Sequence, residues 1–365
     1  QQHHPKGGGS VLVRAMVNAV LNSGRATVMV KAPVQRLILE GSSVCGVIVK
    51  GQEVRAPVVI SAAGAYNTLI RMLPIDLPPT IKRNRDFQEL RTSLLEGGKG
   101  AVGQGSLPLS RTWISLFVGF DVPSSEVGIP KCNQWVFPSW DHDRNIHKCA
   151  EGPDAEFPAI FMTSSSAKDD FWDERGAGNK GCICILAVVE YEWFAKFTAH
   201  EKNQKVHGNG DQSGERTVQV AGEPIVPLQA HSVPKSSGED LEKGYNELKD
   251  KLKARLLRTL TDQYPKVKGH IALSDLSTPL TVNRYLGATR GEFNGLEHGH
   301  NRFLAQVQRT LRPKTPIRGL YLTGQDVTQQ GLFSAMKAGV MTVFVVSKLA
   351  FIRFLPALIK DRFFM

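Results

Sequence analysis

The spacing of hydrophobic positions changes several times along the chain, and each change predicts an element. From Ser10 to Asn22 apolar residues recur at helical spacing, with Val11, Met16, Val17, Val20 and Leu21 on one side. Ser10 reads as the N-cap and Gly24 as the stop. The pattern then becomes that of strands. ATVMVKA (26–32), VQRLILE (34–40), VCGVIVK (44–50) and EVRAPVVISAAG (53–64) predict four of them. Glu40-Gly41-Ser42-Ser43 reads as a hairpin loop and Gly51-Gln52 as a second. The small residues Ser61-Ala62-Ala63-Gly64 suit close backbone approach to another group.

From about Leu73 the pattern becomes less regular. Beyond the glycine-rich stretch Gly97–Gly105, strands are expected at Thr112–Phe120, Asn133–Phe137, Ala159–Ser164 and Cys182–Glu190. Lys202–Ser237 is polar and poor in aromatics, the composition of a disordered insertion. Glu239–Tyr264 is amphipathic, with Leu241, Leu248, Leu252, Leu256 and Leu260 forming its stripe and Pro265 closing it. Leu320–Thr323 reads as a short buried strand, and a helix follows from Gly331. Ala338–Lys360 is apolar but broken by Lys348, Arg353 and Pro356, so its uncharged runs are too short to span a bilayer. A docking helix and a basic helix lying in a membrane interface both fit that segment.

The formal net charge of +11 adds an anionic partner to this picture: a phosphate-bearing cofactor, a membrane surface or nucleic acid. No nucleic-acid module is visible, which argues against the last. The five cysteines are irregularly spaced and read as thiols, not a disulfide framework. Cys182 and Cys184 share a strand face and read as small buried side chains, not a metal pair. His298-Gly299-His300 lacks a third ligand, so the expectation is surface histidines and no metal.

Two glycine motifs bear on chemistry. Gly98-Lys99-Gly100-Ala101-Val102-Gly103 satisfies G-x-G-x-x-G, but Gln104-Gly105-Ser106-Leu107-Pro108 cannot open a helix behind it, so it reads as a decoy. Gly319–Val346 predicts a strand, a glycine turn, the polar pair Gln325-Asp326 and a helix with a small-residue face. That arrangement presents backbone N–H groups and a positive dipole end to an anion. Asp326 is ill placed against a phosphate and better suited to accept from a sugar hydroxyl; an ordinary Asp-capped connection is the other reading.

Three ordered segments carry a resemblance: His4-Pro5-Lys6-Gly7-Gly8, then Val58–Gly64 with Tyr66-Asn67-Thr68, then Leu320–Asp326 with Gly331. They resemble the phytoene desaturase and carotenoid isomerase group of flavoproteins, in the branch that acts on retinol. Ser277–Thr281, Tyr285-Leu286 and Arg290-Gly291 fit the same pattern. The resemblance implies an α/β and α+β fold, the C-terminal part of a two-domain, FAD-dependent, amine-oxidase-like flavoprotein. Its first βαβ unit, with the true G-x-G-x-x-G, would precede residue 1. The implied domains are part of the FAD-binding domain over 1–70, a substrate-binding domain over 71–314, a return to the FAD-binding domain over 315–347, and a basic apolar tail over 348–365.

By the same resemblance Val34 offers backbone to the adenine, and Ala63 and Gly64 pass the adenosine end. Gly324, Gln325 and Asp326 meet the pyrophosphate and ribityl region, and Gly331 and Leu332 lie under the flavin. Tyr285 is the candidate catalytic residue on the substrate side, with a core tyrosine as the alternative. The implied activity is reduction of one double bond of all-trans-retinol, with NAD(P)H as a possible electron source. The implied setting is the endoplasmic reticulum membrane, with a retinoid or other polyene lipid as partner. A carotenoid isomerase or desaturase and a truncated non-catalytic homologue are the alternatives. The chain by itself is expected to bind FAD weakly or not at all.

Overall fold

The computed structural model describes residues 5, 7–99, 106–172, 180–198, 238–347 and 349. The expected insertion at 202–237 and all of the C-terminal tail but Leu349 lie outside these residues. The first main elements are α1 (Gly9–Asn22), β1 (Val34–Glu40), β2 (Ser43–Val49), β3 (Gln52–Arg55), β4 (Val59–Ser61), α2 (Arg85–Gly98), β5 (Thr112–Phe120) and β6 (Gln134–Val136). They continue with β7 (Ile160–Thr163), β8 (Cys182–Val189), α3 (Gly238–Gln263), β9 (Ile271–Ser277), α4 (Pro279–Leu286), β10 (Leu320–Leu322) and α5 (Leu332–Val346).

The chain divides into two units. The described residues of the first are 5, 7–30, 111–172, 180–198 and 238–291; those of the second are 31–99, 106–110, 292–347 and 349. The boundaries between these compact units fall at 110/111 and 291/292, and residues before 31 group with the first unit.

The first unit is built on a five-stranded antiparallel sheet, in the order β6-β7-β8-β5-β9. Alternation along β5 sends Ile114, Leu116, Val118 and Phe120 to one face, where they join Leu252, Leu256 and Leu260 of α3 in a single core. The predicted leucine stripe of α3 thus finds its partner.

The opposite face mixes apolar and polar positions. Register aligns Trp135, Phe161, Leu186, Ser115 and Ser277 in one row, and Thr163, Cys184, Phe117 and Asp275 in another. Phe117, Trp135 and Leu273 on this face are 51%, 53% and 66% exposed. An antiparallel sheet facing water normally alternates to polar residues there, so these three side chains form an exposed apolar patch on this face.

The second unit contains a three-stranded antiparallel sheet, β1-β2-β3, and a two-stranded parallel sheet, β10-β4. The predicted hairpins form, the second turning at Lys50-Gly51 and not at Gly51-Gln52. In the β2–β3 turn Lys50 and Gly51 have φ of 50° and 77°, the left-handed pair that a two-residue hairpin loop needs. The core gathers Leu37, Leu69, Phe87, Leu90, Leu94 and Leu320 among others.

Four expectations are corrected. The segment 26–32 forms no strand, and Val30 is 81% exposed. α1 forms, but Gly8 takes the cap position and none of the helix's residues is buried. The region read as less regular after Leu73 contains α2, capped by Asn84, whose side chain accepts from Phe87 N–H at 2.9 Å. Finally, β9 and α4 lie where no element was expected. α2 also explains part of the glycine decoy. A Cβ on Gly97 would collide with the Leu107 carbonyl, and one on Gly98 with the Tyr66 ring. Those glycines serve close packing.

Candidate cofactor site at the strand ends

Strands β4 and β10 run parallel, with Leu322 opposite Ser61 and Thr323 N–H donating to the Ser61 carbonyl at 2.9 Å. Their carboxyl ends therefore lie side by side. In open α/β sheets that is the edge where ligands bind. Behind Ser61 the chain turns at Gly64, and behind Leu322 at Gly324, with φ of 89° and 92°. Glycine is required at such values. A Cβ on Gly324 would meet nothing within 4 Å, so the turn faces open space.

α5 begins after Gly331, whose φ is 104°. No side chain caps this helix, so its first N–H groups lack an intrahelical acceptor. On the inner side, the buried Thr342 hydroxyl shares its hydrogen between the Ala338 carbonyl of its own helix at 2.8 Å and the Leu322 carbonyl at 3.1 Å, which ties helix to strand. The Thr323 hydroxyl is buried and has no hydrogen-bond partner among the described residues.

The predicted residues can now be placed. Ala63, Gly64, Gly324, Gln325, Gly331 and Leu332 lie along the turns behind the two strands and the start of α5. Val34 is the first residue of β1, paired with Val49, and is partly exposed. Asp326 differs from expectation. It is 3% exposed, and its carboxylate accepts from Ala65 N–H at 2.7 Å and Leu296 N–H at 2.9 Å. Its side chain is thus committed to backbone.

Tyr285 belongs to the first unit. It is not a core tyrosine, being 73% exposed, with the Arg284 guanidinium 5.5 Å from its ring centre.

Two participants were missed. Arg302 is fully buried and donates from Nη2 to the Asp326 carbonyl, while its Nε and Nη1 have no partner among the described residues. His298 was expected at the surface. It is half-buried, with both ring nitrogens sealed and without a hydrogen bond of normal geometry among the described residues. Burial, then the nearby Arg302 charge, push its pKa below the ordinary histidine value; the Leu296 and Gln325 backbone and Asp326 oppose this less strongly. The only sequence hint was an Arg four residues beyond a His in an otherwise polar loop. Among the described residues no group of three His, Cys, Asp or Glu side chains could hold a metal.

Glycine turns beside parallel strand ends, an uncapped helix and an orphaned buried hydroxyl fit an anionic dinucleotide cofactor. The residues that would hold it are Ala63, Gly64, Thr323, Gly324, Gln325, Gly331 and Leu332.

A Danio rerio protein named all-trans-retinol 13,14-reductase is 32% identical over 344 residues, covering 91% of this chain and 47% of that protein. The chain is similar to all-trans-retinol 13,14-reductases. The human reductase of that name is 26% identical over 347 residues, 93% of this chain and 48% of its own length. A second Danio rerio relative, named an inactive all-trans-retinol 13,14-reductase, is 24% identical over 347 residues, 92% of this chain and 48% of its own. The chain spans about half the length of the curated relatives it matches. No family model matches. Among solved structures, an oxidoreductase from Methanosarcina mazei has a TM-score of 0.44 at 14% identity, over 93% of this chain and 55% of that one. A putrescine oxidase variant has 0.45 at 15%, over 92% and 51%. Structural likenesses of that size carry no weight for the chemistry.

Proposed function

We propose that this chain forms part of an FAD-dependent oxidoreductase that reduces one double bond of all-trans-retinol, giving a dihydroretinol. The observation that carries the proposal is the exposed apolar patch on the second face of the five-stranded sheet. Phe117, Trp135 and Leu273 are its exposed members and Phe161 and Leu186 lie beside them, with Ser115, Thr163, Ser277 and Asp275 as the polar residues in register. A linear polyene gains from such a wall through apolar burial and aromatic contact, and its alcohol end needs few polar partners. The names of the relatives supply the substrate class.

A reduced flavin held at the strand ends would supply hydride to one polyene carbon, while a proton from solvent or a nearby acid would reach the neighbouring carbon. The chain's own residues would orient the polyene and keep water from it, so that hydride reaches a single bond. NAD(P)H as electron source and the endoplasmic reticulum membrane as location belong to the same proposal; the net charge of +11 supports an anionic surface. Among the described residues no helix is long and apolar enough to cross a membrane.

Retinol titrated into the chain, followed by quenching of tryptophan fluorescence, tests the wall. Phe117→Asp and Leu273→Asp are each expected to weaken retinol binding on the order of 10-fold, the cost of setting a charge under an apolar ligand. Equal binding by wild type and both variants would sink the proposal. Binding without catalysis is the second reading, favoured by the relative named inactive. Dihydroretinol formed by the chain supplied with FAD and NAD(P)H would exclude it.

A further inference from the structure

We infer that Asp326 is a positioning residue, which fastens three glycine turns and a buried arginine into one rigid knot through its carboxylate and its own carbonyl. The carboxylate's two oxygens are separately engaged. Oδ2 accepts from Ala65 N–H, 261 residues away in the chain, and Oδ1 from Leu296 N–H, 30 residues away. The carbonyl of the same residue accepts from Arg302. Asp326 therefore joins the turn behind β4, the turn at Gly295, the Arg302 segment and its own turn behind β10.

The glycines show how closely the knot is drawn. Gly64 and Gly295 have φ of 89° and 68°. A Cβ on Gly64 would lie 3.1 Å from Oδ2, and one on Gly295 would collide with Oδ1. Both turns are thus shaped around this carboxylate, and each N–H points at its own oxygen. Burial lowers the pKa of the Arg302 guanidinium, and Asp326 is the acidic group among the described residues that opposes this. Asparagine cannot replace the arrangement: its amide has one acceptor oxygen, and its NH2 would face an N–H.

The inference stands whether or not a flavin occupies the strand ends. The test is residue-resolved amide hydrogen exchange on the whole chain for wild type, Asp326→Asn, Gly295→Ala and the double variant. In wild type the Ala65 and Leu296 amides are expected among the slowly exchanging ones. Each single variant should accelerate exchange at both amides on the order of 10-fold or more. The double variant should be no faster than the more affected single, because one knot is broken once. Fast exchange of both amides in wild type would overturn the inference even if no variant folds. So would unchanged protection in Asp326→Asn.

FAD titration of the same proteins separates the knot from direct ligand contact. Gly295→Ala removes no group that could bind a ligand, yet it should weaken whatever FAD binding the chain has as much as Asp326→Asn does. If Asp326→Asn abolished binding while Gly295→Ala kept both the binding and the two protected amides, the carboxylate would be a ligand contact and the inference would fall.

Discussion

Burial sorts the thiols and the histidines of this chain by reactivity. Cys149 is fully buried and its thiol is pushed up to about 12, chiefly by burial; Cys184 is pushed up to about 11 for the same reason. Because the thiolate is the nucleophile, both should resist alkylation at neutral pH while exposed Cys132 reacts first. Mass-spectrometric footprinting with iodoacetamide checks that order, and a Cys149 that labels with Cys132 would contradict it. His298 carries a pH effect of definite sign. Its folded-state pKa lies below the ordinary 6.5, so the unfolded chain takes up the proton first. The neutral imidazole's stability contribution is present above about 6.5 and is lost as pH falls below it. Denaturant melts of wild type and His298→Gln between pH 7.5 and 5 should show a steeper loss for wild type. Little of this was readable beforehand. A histidine and an arginine four apart in a polar loop look solvated, and only the fold brings them under Asp326. The residue type at Asp326 was legible as special, but its partners are backbone N–H groups, which leave no mark in a sequence.

Elements whose pattern and packing agree were legible almost to the residue. β5 matches its expected bounds, and α3 begins and ends within one residue of them. Both are long, with strong periodicity and a buried partner. The failures are instructive in the other direction. The run at 26–32 has the composition of a strand but finds no neighbour to bond with, and a strand needs a ladder. α2 was missed because its glycines at 97 and 98 look like punctuation, whereas they are sites where backbone and the Tyr66 ring come too close for a Cβ. Gly97→Ala should therefore destabilise by about 2 kcal/mol, within the usual cost of overpacking. Leu256→Ala, at the centre of the α3 stripe and fully buried, should cost about 3 kcal/mol. Lys50 sits at φ 50° in the β2–β3 turn, so Lys50→Gly should stabilise by about 1 kcal/mol. Urea denaturation of the three variants reads all these values, and a destabilised Lys50→Gly would show that its side chain does more than cap a turn.

At the scale of the whole molecule, both units leave apolar surface exposed. The sheet of the first unit buries one face under α3 and exposes Phe117, Trp135 and Leu273 on the other. In the second unit α5 buries Ala338 and Thr342 and leaves Phe333, Met336, Val340 and Val343 exposed. Surfaces of this kind mark places that bind something. The sequence pattern could not tell a buried apolar face from an open one, since both read as alternating or continuous hydrophobic runs.

The parallel pairing of β4 with β10 also has a consequence for biosynthesis. Val59 waits for Leu320, so a growing chain carries Val58-Val59-Ile60 as an unsatisfied apolar edge until residue 320 has left the ribosome. The antiparallel sheet of the other unit likewise cannot add β9 to β5 until residue 277 has emerged. Contacts so distant in sequence close slowly, and unpaired edges recruit one another in the meantime. Supplying a holdase chaperone during synthesis should raise the soluble yield of this chain more than any stabilising substitution made in its finished cores.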